Sequence, residues 1–337
     1  MAQMVIFPRP REARLEDVEL DSMTAETIRI RTTVSLVSTG TETIQFAARF
    51  KDDSKWADFV TYPYRPGYSC VGVVEEIGAD VRNVAVGDRV VIRGRHASHH
   101  VTAEQGGYGY TPLPPGLEGD HAAWFAMAKI AFVGALAAEV SLGKRALVIG
   151  AGPIGQMATR WAAAAGCASV VTVDPLAERL PLAEAGGATG TVCDIVSEGA
   201  DAIVEAFNGH RPEIVIDSTG NPAVLAEALK VVDDHGRVVI LGTATSDTAQ
   251  QVTSDIHWRG VTVTGAHDSH TLAVPRWDRD QEIFRLFFHL AASGRFPLDG
   301  LTTHRFSPVE CQEAFELLED QRGKTLGVIF DWTDVDP

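Results

Sequence analysis

Three glycines and one aspartate carry the most specific chemistry in this chain. Gly150, Gly152 and Gly155 form a G-x-G-x-x-G within ALVIGAGPIGQMATRW, directly after an apolar strand and directly before a helix. The first glycine permits a tight turn, the second lets the backbone approach a pyrophosphate, and the third lets helix and strand pack closely. With Pro153 and Ile154 they set free N–H groups at the positive end of a helix dipole, where phosphate is stabilised. Asp174 ends the next strand, SVVTVD, 19 residues after Gly155. Its carboxylate can accept hydrogen bonds from both hydroxyls of an adenosine ribose. The same charge would repel a 2′-phosphate, and Pro175-Leu176-Ala177 offers no adjacent cation. NAD, rather than NADP, is therefore the expected cofactor. Arg179, one helical turn further on, is either a stacking partner for adenine or a solvated helix charge.

The elements that must position this motif fall into two groups. Up to the Pro-rich connection TPLPPGL, the chain reads as β-structure. ETIRIRTTVSLVS puts Ile28, Ile30, Thr32 and Val34 on one face of a half-buried strand. CVGVVEEIG is a strand, and Gly87-Asp88 makes the turn into the next. RHASHHVTAE reads as a further strand, with His96 and His100 on one face and His99 on the other. After TPLPPGL, Asp120 is placed to cap an Ala-rich helix over 121–138. From Lys144, short apolar strands alternate with helices, the pattern of a parallel sheet covered on both faces. GVTVTGA closes that run as its expected edge. The tail offers an amphipathic helix in WDRDQEIFRLFFHLAASG. A second, SPVECQEAFELLED, has a capping box between Ser307 and Glu310, and LGVIF is the last strand. The expected division is 1–127 with 265–337 as one domain and 128–264 as the other.

Composition sets the outer limits. A chain of 337 residues suggests about two domains. Hydrophobic residues make up 45% and charged residues 22%, ordinary for a globular enzyme. A formal charge of −16 disfavours nucleic acid and anionic membranes as partners. Cys70, Cys167, Cys193 and Cys311 form no C-x-x-C and read as buried free thiols, not a disulfide framework. The N-terminus becomes charged too early for a signal peptide, and no apolar run reaches about 18 residues. The expectation is a cytoplasmic protein acting on a small molecule.

These marks together resemble the medium-chain dehydrogenase/reductase superfamily over essentially the whole chain. They are VSTGTE (37–42), RPGYSCVGVVEEIG (65–78), VGDRVV (86–91), the helix and GAGPIG block, DSTG (217–220), GRVVILG (236–242) and GKTLGVIF (323–330). The resemblance implies an α/β fold: a GroES-like β-barrel catalytic domain plus a Rossmann doubly wound parallel-sheet domain, with nicotinamide meeting substrate between them. It also adds Thr219 and Gly242 to the cofactor-binding candidates and implies a homodimer. Within the superfamily, STGTE followed by PGY looks most like the bacteriochlorophyllide a dehydrogenase branch, which oxidises a secondary alcohol with NAD.

Departures from the family pattern point to the chemistry. Zinc alcohol dehydrogenases in this superfamily carry metal ligands where this chain has Thr39, Tyr68-Ser69 and Ala126. Zinc needs thiolate, imidazole or carboxylate, and the four-cysteine structural lobe is missing too. The resemblance thus implies a zinc-free member. Some protein group must then take the hydroxyl proton and hold the developing alkoxide. Thr41 matches the relay hydroxyl of the zinc relatives. Tyr68 falls where a metal ligand would point, and Lys129 is a candidate cation to lower its pKa. His96 is a second candidate acid/base, since imidazole titrates near neutrality. Thr39, Ser69, His100 and His267 are candidates for substrate contact. Each has a plainer alternative: a turn hydroxyl, a space-filling ring, a packed or surface histidine, a solvated lysine. The expected activity is a zinc-independent, NAD-dependent interconversion of a secondary alcohol and a ketone on a sugar, cyclitol or ring-bearing metabolite. An enone or quinone reductase is the alternative, and a non-catalytic nucleotide-binding protein the alternative of another class.

Overall fold

The chain opens on an antiparallel hairpin, β1 (Ala2–Arg9) and β2 (Glu12–Val18). The computed structural model describes residues 1–52, 54–104, 109–246, 249–269, 277 and 279–335. The long strand β3 (Thr27–Val37) follows, with Ile28, Ile30, Thr32 and Val34 buried as the alternation requires. After it come α1 (Thr41–Ala47), α2 (Lys55–Phe59), β4 (Cys70–Ile77), β5 (Arg89–Ile92), β6 (His99–Ala103) and β7 (Tyr110–Pro112). Strand β3 is long enough to hold β4 along one edge. On its other edge it holds β6, through residues 27–31, and a C-terminal strand, through residues 34–37.

The second half is the parallel sheet. Helices α3 (Gly119–Ala122) and α4 (Phe125–Ala137) lead into β8 (Arg145–Ile149), α5 (Pro153–Ala164), β9 (Ser169–Val173), α6 (Leu180–Ala185) and β10 (Gly190–Val192). The chain then crosses to α7 (Ala200–Ala206), β11 (Ile214–Asp217), α8 (Val224–Val231), β12 (Arg237–Ile240), α9 (Asp255–Trp258) and β13 (Thr262–Gly265). The strand order is β10-β9-β8-β11-β12-β13, all parallel. Its direction of growth reverses at β8, which makes the carboxyl ends of β8 and β11 the switch point where such sheets bind ligands. Helix α10 (Asp280–Ala292), β14 (Thr302–Phe306), α11 (Cys311–Asp320) and β15 (Gly327–Asp331) return to the first sheet, where β15 pairs with β3.

Helix α4 joins the two halves. Its sequence, FAMAKIAFVGALA, is apolar all round, which suits a helix enclosed on every side. It lies in one core cluster with Val34, Leu36 and Val71 from the first sheet, Val148, Ile216 and Val239 from the second, and Phe284, Phe287 and Phe288 of α10. Each large side chain enclosed there contributes about 1.5–3 kcal/mol of transfer free energy.

Four local expectations are corrected. The helix over 121–138 is broken at Trp124, and Asp120 lies inside α3, where it pairs with Arg305 at 2.6 Å instead of capping. The strand in RHASHHVTAE begins only at His99. His96 lies in the preceding loop because its N–H is taken by the Pro66 carbonyl at 3.0 Å. His96 and His100 therefore do not share a strand face. Cys193 is exposed and Cys167 half-buried, so only Cys70 and Cys311 are enclosed thiols. The capping box forms as expected: Ser307 N–H donates to Glu310 Oε2 at 2.7 Å, and the Ser307 side chain accepts in return. Replacing that serine (Ser307→Ala) should cost about 1 kcal/mol of stability, read as a lower thermal midpoint with unchanged cofactor affinity.

Candidate active site

The dinucleotide cradle is assembled from three strand ends that touch. Gly150, at φ +93°, makes the turn out of β8, and a Cβ there would press on Ser218 and Thr219 after β11. A Cβ at Gly155 would stand 1.8 Å from the Gly150 carbonyl oxygen, so only glycine lets α5 pack this close. A Cβ at Gly242, after β12, would stand 2.2 Å from the Gly220 nitrogen. At Gly152 the nearest atom is Arg179 Nη1, 3.7 Å away, and the space is otherwise open. Pro153 is the first residue of α5, and the N–H groups behind it face that space.

Asp174 and Arg179 complete this side. The Asp174 carboxylate accepts the Ala151 N–H at 2.6 Å and the Leu176 N–H at 2.8 Å. Each oxygen keeps a second lone pair for a ribose hydroxyl. Arg179 sits 3.8 Å from Asp174 and donates to the Arg322 carbonyl at 2.7 Å, while its buried Nε has no partner among the described residues. It is neither a solvated charge nor free of the core. Thr219 donates to Asp217 at 2.7 Å, which fixes the loop after β11. These residues fit a nicotinamide dinucleotide.

At the other end of the same sheet edge, beyond β13, four charges meet beneath Tyr68. Lys129 of α4 forms an ion pair with Asp268, donates to the Asp268 carbonyl at 2.5 Å and lies 3.2 Å from Asp280. Arg93, directly after β5, donates to Asp268 Oδ2 at 2.5 Å and lies 3.8 Å from Asp280. Its guanidinium carbon stands 5.5 Å from the centre of the Tyr68 ring. Burial pushes the Asp268 carboxyl up, but Arg93 and Lys129 outweigh it and hold it below its ordinary value. Burial likewise pulls Arg93 down, and Asp268 more than restores it. Lys129 is thus a paired, buried cation and not a solvated one, but its charge is spent on two carboxylates.

Tyr68 donates to Ser38 Oγ at 2.6 Å. Burial pushes its phenol well above the ordinary tyrosine range, with Glu42 adding to the rise and Arg93 opposing it. The turn that carries Tyr68 depends on Gly67, at φ +101°, where a Cβ would stand 2.4 Å from the His96 nitrogen. Behind Ser38, the Glu42 carboxylate accepts the Ser38 N–H at 2.9 Å and meets His96 Nε2 at 2.8 Å. Glu42 thus orients the 38–42 turn, as its position suggests.

The remaining candidates divide by exposure. His96 is fully enclosed, held by Glu42 and by Ser35 Oγ at 2.8 Å. Ser69 is equally enclosed and donates to the Ala123 carbonyl at 2.5 Å. Thr39 is buried, and its carbonyl accepts from Thr43. His100 packs against Gly94, and burial pulls it down to about 4, which keeps it neutral. Thr41, the first residue of α1, is half-buried, and His267 is exposed beside Asp268. Reading the sequence missed Arg93, Ser38 and Asp280. A charged residue directly after the apolar strand RVVI was the one available signal for Arg93.

These groups do not fit a zinc ion. At the positions of its ligands stand a buried threonine, a phenol and a hydroxyl already committed to Ser38 and Ala123, and the methyl of Ala126. Among the described residues, no group of three or more His, Cys, Asp or Glu could hold a metal.

The sequence matches two family models, the alcohol dehydrogenase GroES-like domain over residues 29–151 and the zinc-binding dehydrogenase over residues 153–276. With both halves matched in order, the chain belongs to the medium-chain dehydrogenase/reductase superfamily, and it is an alcohol dehydrogenase of that class. It is 30% identical over 188 residues to an L-threonine 3-dehydrogenase of Bacillus licheniformis, covering 56% of this chain and 52% of that one. A second L-threonine 3-dehydrogenase, from Paraburkholderia phytofirmans, is 28% identical over 313 residues, 83% of this chain and 86% of its own. The D-guloside 3-dehydrogenase of Escherichia coli is 28% identical over 242 residues, 67% and 69% of the two chains. Among solved structures, an Escherichia coli oxidoreductase/dehydrogenase of unknown specificity superposes with a TM-score of 0.84 at 20% identity, covering 98% of this chain and 99% of its own.

Two outcomes follow from the geometry. Gly155→Ala should abolish NADH binding, measured by quenching of protein fluorescence. Glu42→Ala strips the Ser38 N–H and the enclosed His96 of their partner and should destabilise the protein by roughly 3–5 kcal/mol, the cost typical of breaking a buried pair, read by chemical denaturation.

Proposed function

We propose that the chain is a zinc-independent, NAD-dependent oxidoreductase that interconverts a secondary alcohol and a ketone on a metabolite such as a sugar, a cyclitol or a ring-bearing natural product. The observation that carries this reading is the buried ion-pair network at Tyr68, a residue whose motif position matches a metal ligand of the zinc relatives. Bound NAD supplies the hydride acceptor. The glycines at 150, 152 and 155 hold its phosphates, with Pro153 and Ile154 opening the helix behind them. Asp174 takes the adenosine ribose and argues for NAD over NADP. Arg179, Thr219 and Gly242 close the cradle.

On the substrate side Tyr68 is the acid/base. In alcohol oxidation its phenolate takes the hydroxyl proton while the carbinol hydride leaves, giving ketone and phenol. In the reverse direction the phenol protonates the forming alkoxide. Ser38 holds the phenol oxygen in place, and Thr41 is the nearby hydroxyl open to substrate. Lys129 serves by fixing Asp268 and Asp280 and does not touch the phenol. The division of labour follows the expected boundaries, with 1–127 and 265–337 catalytic and 128–264 binding the nucleotide. A cytoplasmic homodimer is the assembly that fits best. Strand β13 pairs only with β12 among the described residues, and Trp258 beside it is 80% exposed.

The test is a screen of sugars, cyclitols and secondary alcohols with NAD and NADP. Oxidation with NAD is expected, and Tyr68→Phe should lower kcat by about 10²–10⁴-fold. Because burial holds the phenol protonated, the oxidation rate should climb with pH through neutrality, while ketone reduction stays level there. NADPH-dependent turnover of simple quinones faster than any alcohol would overturn the reading.

A further inference from the structure

The phenol of Tyr68 has one proton, and it donates that proton to Ser38 Oγ at 2.6 Å. Among the described residues the phenol oxygen has no other hydrogen-bond partner. In that direction the bond serves no proton transfer, since a proton committed to Ser38 is not offered to a ketone. Nor can an acceptor steady the anion that is left when the proton goes. Ser38, however, has a proton of its own, and no acceptor among the described residues holds it. A hydroxyl donates as well as accepts, and its hydrogen rotates to suit. Ser38 can therefore turn the bond round.

Only the hydrogen need move, because Ser38 is clamped. Its N–H donates to Glu42 Oε1 at 2.9 Å, and its carbonyl accepts the Glu42 N–H at 2.8 Å. Glu42 Oε2 is fixed by His96 Nε2 at 2.8 Å, and His96 Nδ1 by Ser35 Oγ at 2.8 Å. Ser35 Oγ in turn accepts the Trp332 indole N–H at 2.9 Å. Ser38 is 5% exposed, and Glu42, His96, Ser35 and Trp332 are each at most 1% exposed. The charges that face the phenol supply no donor to its oxygen. Glu42 of α1 and Asp268 after β13 hold the proton on, and Arg93 after β5 opposes them from over the ring face. Lys129 and Asp280 act only through Asp268 and Arg93. Thr41 has no hydrogen bond to Tyr68 among the described residues. A buried anion left without a donor is costly, so the Ser38 hydroxyl is the group placed to meet that cost.

We infer that Ser38 is the positioning residue that steadies the phenolate of Tyr68, accepting from the phenol at rest and donating to its oxygen during proton transfer. The inference rests on the reading of Tyr68 as the acid/base. In ketone reduction Ser38 Oγ–H turns to the phenol oxygen and frees the phenol proton. The Tyr68 O–H bond then breaks, its proton goes to the forming alkoxide, and the Ser38 O–H bond stays intact. In alcohol oxidation the phenolate takes the hydroxyl proton, and Ser38 turns back to accept.

The test places difluorotyrosine at position 68 of the full chain, so that the phenol ionises at a pH the folded protein survives, and follows its titration by fluorine NMR. Ser38→Ala removes the donor, and Ser38→Cys keeps the shape with a much weaker one. Both should raise the ionisation midpoint, Ser38→Ala by about one to two pH units, the worth of a hydrogen bond to a charged group. Ser38→Thr keeps a hydroxyl and should leave the midpoint near that of the parent. On the substrate found by the screen, Ser38→Ala with the natural tyrosine should lower kcat/KM by about 10- to 100-fold in both directions, which share one transition state. Unchanged NADH affinity checks that each variant is folded. A midpoint that stays put in both Ser38→Ala and Ser38→Cys overturns the inference, whatever the rates do. A raised midpoint upholds the role of Ser38 toward the phenolate. If Tyr68→Phe then leaves turnover unchanged, it is the reading of Tyr68 as acid/base that fails.

Discussion

A buried ammonium is the constraint around which the site is arranged. Lys129 is the only charge in α4, the helix on which both sheets pack, and it is 4% exposed. An ammonium taken out of water without partners is too costly to persist. Asp268 must therefore be drawn in from the end of β13, and Asp280 from the first turn of α10. Once those carboxylates are fixed, they hold Arg93 after β5, and Arg93 lies over Tyr68. One paired lysine thus links the central helix, the last strand of the parallel sheet and the barrel wall.

The same sheet edge carries the cofactor end. On the proposed reading, adenosine sits at β9, where Asp174 stands, and the phosphates at the β8 turn. The far end of that edge, past β12 and β13, leads to Asp268 and Tyr68. A dinucleotide laid along the carboxyl ends of the strands would, on that reading, run from Asp174 toward the phenol. The close contacts at Gly150, Gly155 and Gly242 fix the first part of that track. The ion-pair network fixes the last part.

The fold of the parallel-sheet half was legible because its signals are local. A glycine at a tight turn, an acid at the end of the next strand and alternating apolar segments all act within a few residues of themselves. Tyr68 was legible only as a position, through what the family carries there. Arg93, Asp280 and Ser38 were not, because they come together with Tyr68 from separate stretches of chain. His96 shows the limit most clearly. RHASHH alternates like a strand, but Gly67 lets the 66–68 turn approach and take the His96 N–H, so the strand starts three residues later. Lys129 was singled out as a candidate cation, but helix position alone does not reveal that two aspartates claim it. The break at Trp124 was likewise hidden, since Asp120 has a tertiary partner in Arg305 that outweighs a capping role.

On the proposed function, side-chain charges take the place of a metal at Tyr68. Elemental analysis of the purified, catalytically active protein, before and after exhaustive chelation, tests it most directly. The account predicts zinc far below one ion per chain and turnover unchanged by the chelator. One zinc ion per chain, with activity lost on its removal and restored on its return, would contradict it.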